Sequence, residues 1–143
     1  MQIDDLYQDL IIDHGTKPRN FRAMPNCSCS AEGYNPLCGD KLTIFIALDA
    51  AQLTIQEITF TGQGCAISSA SASILSQELK GLSAQQALQA SAQFKELLLN
   101  GFSNTDLSPK LQALANVKRY PSRIKCALLA WYAFNDALAS DQA

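Results

Sequence analysis

Five cysteines, Cys27, Cys29, Cys38, Cys65 and Cys126, stand beside a single histidine, His14, in a chain of 143 residues. An odd number of thiols in a chain without a visible export signal argues against a disulfide framework. It points instead to metal or thiol chemistry. One histidine excludes every site built on two, including His-Glu-x-x-His proteases and facial-triad iron enzymes. A metal site here has to be rich in thiolate.

Three segments can supply such a site. In Cys38-Gly39-Asp40 an extended chain points residues i and i+2 to the same side, so a thiolate and a carboxylate can converge on one ion. The alternative is a small buried cysteine beside a turn aspartate. Cys65 follows Gly62-Gln63-Gly64 and opens a small-residue segment, where the positive end of a helix dipole favours thiolate. It reads equally as a packing cysteine. Arg123-Ile124-Lys125-Cys126 flanks a cysteine with two cations, which stabilise a thiolate or offset an anionic cluster. Alone it describes a core cysteine with snorkelling neighbours. Three thiolates and a carboxylate around Zn²⁺ leave a double negative charge that Arg123 and Lys125 are suited to balance. Cys65 lies 27 residues after Cys38, and Cys126 lies 61 after Cys65. No zinc finger has these spacings, so the fold must assemble the site. Cys27-Ser28-Cys29 has no third local partner and reads as two ordinary or redox-labile thiols. Serines 68, 69, 71 and 73 lack a Gly-x-Ser-x-Gly elbow, which makes a serine hydrolase improbable.

The elements that must position these groups follow from periodicity. Ile3, Leu6, Tyr7, Leu10 and Ile11 form one stripe of an amphipathic helix that Gly15 and Pro18 should end. At its end His14 is expected as a cationic cap rather than a metal ligand. Residues 20–30 read as irregular chain, with a short strand near 30–34. Residues 42–48 and 53–60, rich in β-branched and aromatic side chains, predict an antiparallel hairpin, broken by Gly62-Gln63-Gly64. A helix is expected over 65–80. Ser83 with Gln86 is a capping box and Gly101 a helix stop. Ser108-Pro109 is a helix start, and Pro121 opens a last helix with Ile124, Ala127, Leu128, Trp131 and Leu138 inward and Tyr132 at its rim. The expected class is α+β: a small antiparallel sheet of about three strands with helices packed on it, in one domain over residues 1–143.

Composition narrows the function. With 11 Lys+Arg against 13 Asp+Glu, the chain lacks the basic surface of a general nucleic-acid binder. No apolar run approaches the roughly 20 residues that span a bilayer. Met1-Gln2-Ile3-Asp4-Asp5 resembles neither a signal nor a transit peptide. The expectation is a cytoplasmic protein with no nucleic-acid and no membrane partner.

Together the motifs resemble the IscU/NifU-N superfamily of iron–sulfur cluster assembly proteins, and within it the SufU branch. Leu6-Tyr7, Ile11-Ile12-Asp13-His14 and Lys17-Pro18-Arg19-Asn20 are similar to the family's amino-terminal signature. Asn35-Pro36-Leu37-Cys38-Gly39-Asp40, Gly62-Gln63-Gly64-Cys65-Ala66-Ile67-Ser68 and Arg123-Ile124-Lys125-Cys126 resemble its ligand-bearing segments. Lys125 stands where IscU scaffolds carry a histidine, and Arg119-Tyr120-Pro121-Ser122-Arg123 replaces their Leu-Pro-Pro-Val-Lys chaperone motif. The interval from Cys65 to Cys126 is also longer than in IscU, as in SufU proteins.

The resemblance implies Zn²⁺ held by Cys38, Asp40, Cys65 and Cys126. It also implies a sulfur acceptor working with a pyridoxal-phosphate cysteine desulfurase of the SufS type, rather than a free-standing enzyme. Cys38 would be freed from zinc by a desulfurase histidine to accept persulfide sulfur, with Arg123 steering the persulfide or compensating charge. The sulfur would pass to a downstream iron–sulfur scaffold or apo-protein. Two alternatives use the same residues: a scaffold that builds a [2Fe–2S] cluster on the four ligands, and a structural zinc domain that binds partners. A carboxylate ligand suits an exchangeable site better than a structural one.

Overall fold

The computed structural model describes residues 3–37, 39–51, 53–101 and 107–142. Helix α1 (Ile3–Thr16) is followed by strands β1 (Cys29–Asn35), β2 (Asp40–Leu48) and β3 (Ile55–Gln63). Then come α2 (Ala66–Glu78), α3 (Ala84–Asn100), α4 (Pro109–Leu114), a 3-10 segment (Ala115–Arg119) and α5 (Pro121–Gln142). The strands form an antiparallel meander in the order β1-β2-β3. This is the α+β architecture that the strand and helix periodicities predict.

Strand β2 shows why the sheet has one inner face. Asp40, Leu42, Ile44, Ile46 and Leu48 are buried in strict alternation with more exposed neighbours, because successive side chains point to opposite faces. Ile46 pairs with Cys29 on one side and Ile58 on the other, so one layer of apolar side chains crosses all three strands. Helix α5 lies against β1 and β2, while α2 packs on β3 and α5. Trp131, stacked on Phe94 at 4.4 Å between ring centroids, fills the space between α5 and α3. Helix α1 packs on α2, and α4 on α1.

Local signals place the later helices as expected. Ser83 and Gln86 form both halves of the capping box, and Gly101 closes α3 in the left-handed conformation at φ 73°. Ser108 caps α4 ahead of Pro109. Helix α1 ends at Thr16, between Gly15 and Pro18 as expected, and the Thr16 Oγ1 donates to the carbonyl of Ile12 at 2.6 Å. A Cβ at Gly15 would lie 3.2 Å from Ala66, so this glycine also serves close α1–α2 contact. Strand β3 ends at Gln63, within the Gly62-Gln63-Gly64 segment. Gly62 itself sits in the strand at φ 138°, opposite Leu42, where a Cβ would fall 2.1 Å from the Lys41 carbonyl oxygen. One expectation fails because a distant strand intervenes. Cys29 is not loop: it is the buried first residue of β1, although the neighbouring Cys27 precedes the strand.

Candidate metal centre

The register of β2 carries Asp40 inward. Asp40 is the first residue of the strand and shares the buried face of Leu42 and Ile44, with only 3% of its surface exposed. A buried carboxylate needs partners, and the start of α2 provides them. Cys65 is the N-cap of α2, with extended backbone (φ −70°, ψ 170°) and no side-chain capping bond. Its backbone N–H donates to Asp40 Oδ1 at 3.0 Å. The hydroxyl of Ser68 donates to Asp40 Oδ2. A carboxylate from β2 thus caps α2 from outside the helix, where orphan N–H groups and the dipole favour negative charge. Gly64 makes the approach possible, because a Cβ there would lie 3.3 Å from Asp40 Cγ and 3.1 Å from Ser68 Cβ.

Cys126, in the second turn of α5, completes the group. Donor atoms of Asp40, Cys65 and Cys126 all lie within 4.8 Å of one another. Tetrahedral ligands at about 2.3 Å from zinc sit roughly 3.8 Å apart, so small side-chain adjustments suffice to close on an ion. Two sulfurs and a carboxylate suit zinc or an iron–sulfur cluster by their softness. Asp40 and Cys126 are buried while Cys65 is exposed, which leaves the group reachable from outside. A cleft of about 540 Å³ lined by Asn35, Leu37, Pro121, Ser122 and Lys125 opens onto Cys126. Cys38 lies outside the described residues, so the structure brings together three of the four residues expected as ligands.

Arg123 is exposed on the first turn of α5, and its guanidinium lies 4.8 Å over the ring of Tyr120. Tyr7 of α1 stacks near that ring, 6.0 Å between centroids at 20°. Its hydroxyl is buried and meets no hydrogen-bond partner among the described residues. Burial pushes the Tyr7 phenol above its ordinary pKa; the Arg123 guanidinium pulls it back and Cys65 adds to the rise.

His14 overturns the capping expectation. It is 1% exposed, and its Nδ1 sits 2.7 Å from Ser73 Oγ. That hydroxyl also accepts the backbone N–H of Arg19 at 2.9 Å, which ties the imidazole to the chain that follows α1. Burial, helped by Arg19 and Lys110, lowers the His14 pKa to about 4. A neutral side chain gives no dipole stabilisation. Sequence reasoning passed over two residues here. Ser68, three residues after Cys65, faces the same way by helical spacing; the hydroxyl of Tyr7 carried no signal within an apolar stripe.

An α+β domain carrying an accessible thiolate-and-carboxylate group that can hold a metal ion is the class that fold and site define. The family described as the NifU-like N terminal domain matches residues 6–140. The chain is 34% identical over 141 residues to the zinc-dependent sulfurtransferase SufU of Bacillus subtilis (strain 168), covering 98% of this chain and 94% of that one. It is 31% identical to the iron–sulfur cluster assembly scaffold protein IscU of Streptococcus pyogenes serotype M1, over 96% of this chain and 85% of that protein. A crystal structure of a SUF-system iron–sulfur cluster assembly scaffold protein from Fervidobacterium islandicum AW-1 superposes with a TM-score of 0.85 at 29% identity. That match covers 94% of this chain and 97% of the other. The chain belongs to the NifU-like N-terminal domain family. Among the described residues no helix is long and apolar enough to cross a membrane.

Proposed function

We propose that this chain is a zinc-dependent sulfur acceptor that takes persulfide sulfur from a cysteine desulfurase of the SufS type for iron–sulfur cluster assembly. The convergence of Asp40, Cys65 and Cys126 at one accessible point carries the reading, and similarity to the Bacillus subtilis zinc-dependent sulfurtransferase supports it. Cys38 is the fourth ligand and the sulfur acceptor. Bound zinc would hold its cysteine ligands as thiolates at neutral pH. The acceptor thiolate attacks the outer sulfur of the desulfurase persulfide. One S–S bond forms as the other breaks, and the desulfurase cysteine leaves with the electron pair as a thiolate. No oxidant or reductant is consumed. Asp40, a harder donor than the sulfurs, keeps the site exchangeable. Arg123 steers the incoming anion or balances the charge of the site. The pyridoxal phosphate that cleaves the C–S bond belongs to the desulfurase, the sulfur goes on to an iron–sulfur scaffold or apo-protein, and a cytoplasmic setting keeps the thiols reduced.

A second reading, a scaffold that assembles a [2Fe–2S] cluster, is favoured by the IscU relatives and uses the same donors. Metal content of freshly purified protein, measured together with desulfurase turnover, separates the two. About one zinc per chain with stimulated turnover, lost in Cys38→Ala, is the expected result. Iron with acid-labile sulfide and no stimulation would overturn it in favour of the scaffold.

A further inference from the structure

Cys65 and Cys126 meet at the metal group, and neither is in a disulfide. Their sulfurs lie within 4.8 Å of each other, with Cys65 exposed and Cys126 buried. Cys65 Sγ is 3.5 Å from Ser68 Oγ, so this side chain turns toward the group, and it makes no capping bond to α2. The gap between the two sulfurs is set by the scaffold. Ser71 donates to the carbonyl of Ala127, the residue after Cys126, at 2.6 Å and accepts the Trp131 indole N–H at 2.9 Å. These bonds tie α2 to α5 beside the cysteines, and both are made between protein groups alone. A disulfide needs the sulfurs to close to about 2.0 Å, at most about 1.4 Å of travel for each. An accessible cysteine at a helix start, with a second thiol poised behind it, is the arrangement of a redox-responsive pair.

We propose that Cys65 and Cys126 are a modification site for low-molecular-weight disulfides, which oxidise the pair to an internal disulfide and thereby close the group to metal. The exposed Cys65 thiolate attacks one sulfur of the small disulfide, and the other half leaves with the electron pair as a thiolate. Cys126 then attacks Cys65 Sγ. The Cys65–Cys126 bond forms as the mixed disulfide breaks, and the second small thiolate leaves. Two cysteines are oxidised, one small disulfide is reduced to two thiols, and the protons lost from the chain go to the departing thiolates. The product withdraws two sulfur donors and leaves Asp40 alone of the three grouped residues, a set too poor to hold a soft or borderline ion. A small thiol in excess reverses each step and restores the donors. Metal and oxidant therefore compete for one pair of sulfurs, whether the group serves a zinc ion or a cluster.

The sequence makes the test direct, because trypsin separates the cysteines. Cys27, Cys29 and Cys38 fall in residues 23–41, Cys65 in residues 42–80 and Cys126 in residues 126–143. The folded, metal-free chain is incubated with oxidised glutathione, remaining thiols are blocked, and the digest is mapped by mass without reduction. The expected product joins residues 42–80 to residues 126–143, and dithiothreitol releases the two peptides. In Cys126→Ser the second step is lost, so Cys65 stays as its mixed disulfide with glutathione. With free zinc at about 100 times its dissociation constant, oxidation of the parent slows about 100-fold, since only the metal-free fraction reacts. A link from residues 23–41 to either partner in place of the expected one would overturn the pairing. So would mixed disulfides left standing on the parent, which needs no substitution to be read. Oxidation equally fast with and without zinc would overturn the competition between oxidant and metal.

Discussion

Helix α2 uses serine in two ways along its length. From its second turn onward the hydroxyls tie the helix to its surroundings. Ser71 accepts the indole N–H of Trp131 at 2.9 Å and donates to the Ala127 carbonyl at 2.6 Å. Ser73 joins His14 and the backbone of Arg19. Ser76 accepts from the Asn20 side chain at 2.9 Å and donates to the Ser73 carbonyl at 2.6 Å. Asn20 holds a left-handed conformation at φ 61°, which asparagine tolerates better than most residues, and its carbonyl also accepts the Phe60 N–H. Much of the amino-terminal signature, His14, Arg19 and Asn20, is therefore a docking strip for α2. At the other end, Ser68 serves a carboxylate from another element beside an exposed cysteine. The middle of the helix is closed on itself; its start is left open to a ligand. Small polar residues fix a scaffold where all their bonds are internal, and orient chemistry where one partner is a metal donor.

The sharpest test of this contrast removes Cys65. Its side chain makes no capping bond and is exposed, so Cys65→Ala should leave the metal-free fold within about 0.5 kcal/mol of the parent. Metal affinity should fall by more than the ~10–100-fold that follows loss of an outer-shell partner. Chelator competition measures the second quantity and urea unfolding of the apo-protein the first. Equal affinity in the variant would remove Cys65 from the donor set.

The closed half responds to acid through His14. Its folded pKa of about 4 lies below the ordinary 6.5, so the unfolded chain binds the extra proton between these values. The contribution is fully present above pH 6.5, falls as pH drops towards 4, and is flat below. It amounts to about 3 kcal/mol across the window. Urea midpoints from pH 7 to 4 should decline more steeply for the parent than for His14→Gln. Parallel curves would mean that the imidazole is not buried neutral between α1 and α2.

Helix caps and strands were legible in the sequence because they depend on residues a few positions apart. Ser83 with Gln86, Ser108 with Pro109 and the run from Leu42 to Leu48, rich in β-branched and aromatic residues, all read correctly. Cys29 and His14 did not, since each is decided by an element remote in sequence: β2 for Cys29 and α2 for His14. The close contacts of Gly15 with α2 and of Gly62 with β2 were hidden for the same reason. For the site, the three cysteine segments stood out only when taken together, because residues 27 and 61 positions apart meet through the fold alone. Ser68 was hidden among serines that look alike until their partners are known. Trp131 read as core from the α5 stripe, but its need for Ser71 did not.

That need gives the next effect in size. Ser71→Ala leaves the Trp131 N–H buried without its acceptor, at a cost of about 2 kcal/mol, and should not alter metal affinity. Coupling between this change and Trp131→Phe, which removes the donor, should recover most of the loss in a double-mutant cycle. Additive costs would show that the indole finds another acceptor.

Ser68→Ala reverses that signature and tests the boundary between the two halves. Asp40 keeps the Cys65 N–H on Oδ1 but loses the hydroxyl on Oδ2, so the carboxylate is still capped but free to turn. Loss of an outer-shell partner of this kind costs metal affinity about tenfold. That is equivalent to about 1.4 kcal/mol, while the apo-protein should change less than in Ser71→Ala. Co²⁺ substituted for zinc gives a spectroscopic readout, because its ligand-field bands report the geometry that Asp40 imposes. A shift of those bands in Ser68→Ala with an unchanged apo melting temperature would place Ser68 with the metal group. A lower melting temperature with unchanged bands would place it with Ser71 and Ser73, and the open end of α2 would then begin at Cys65.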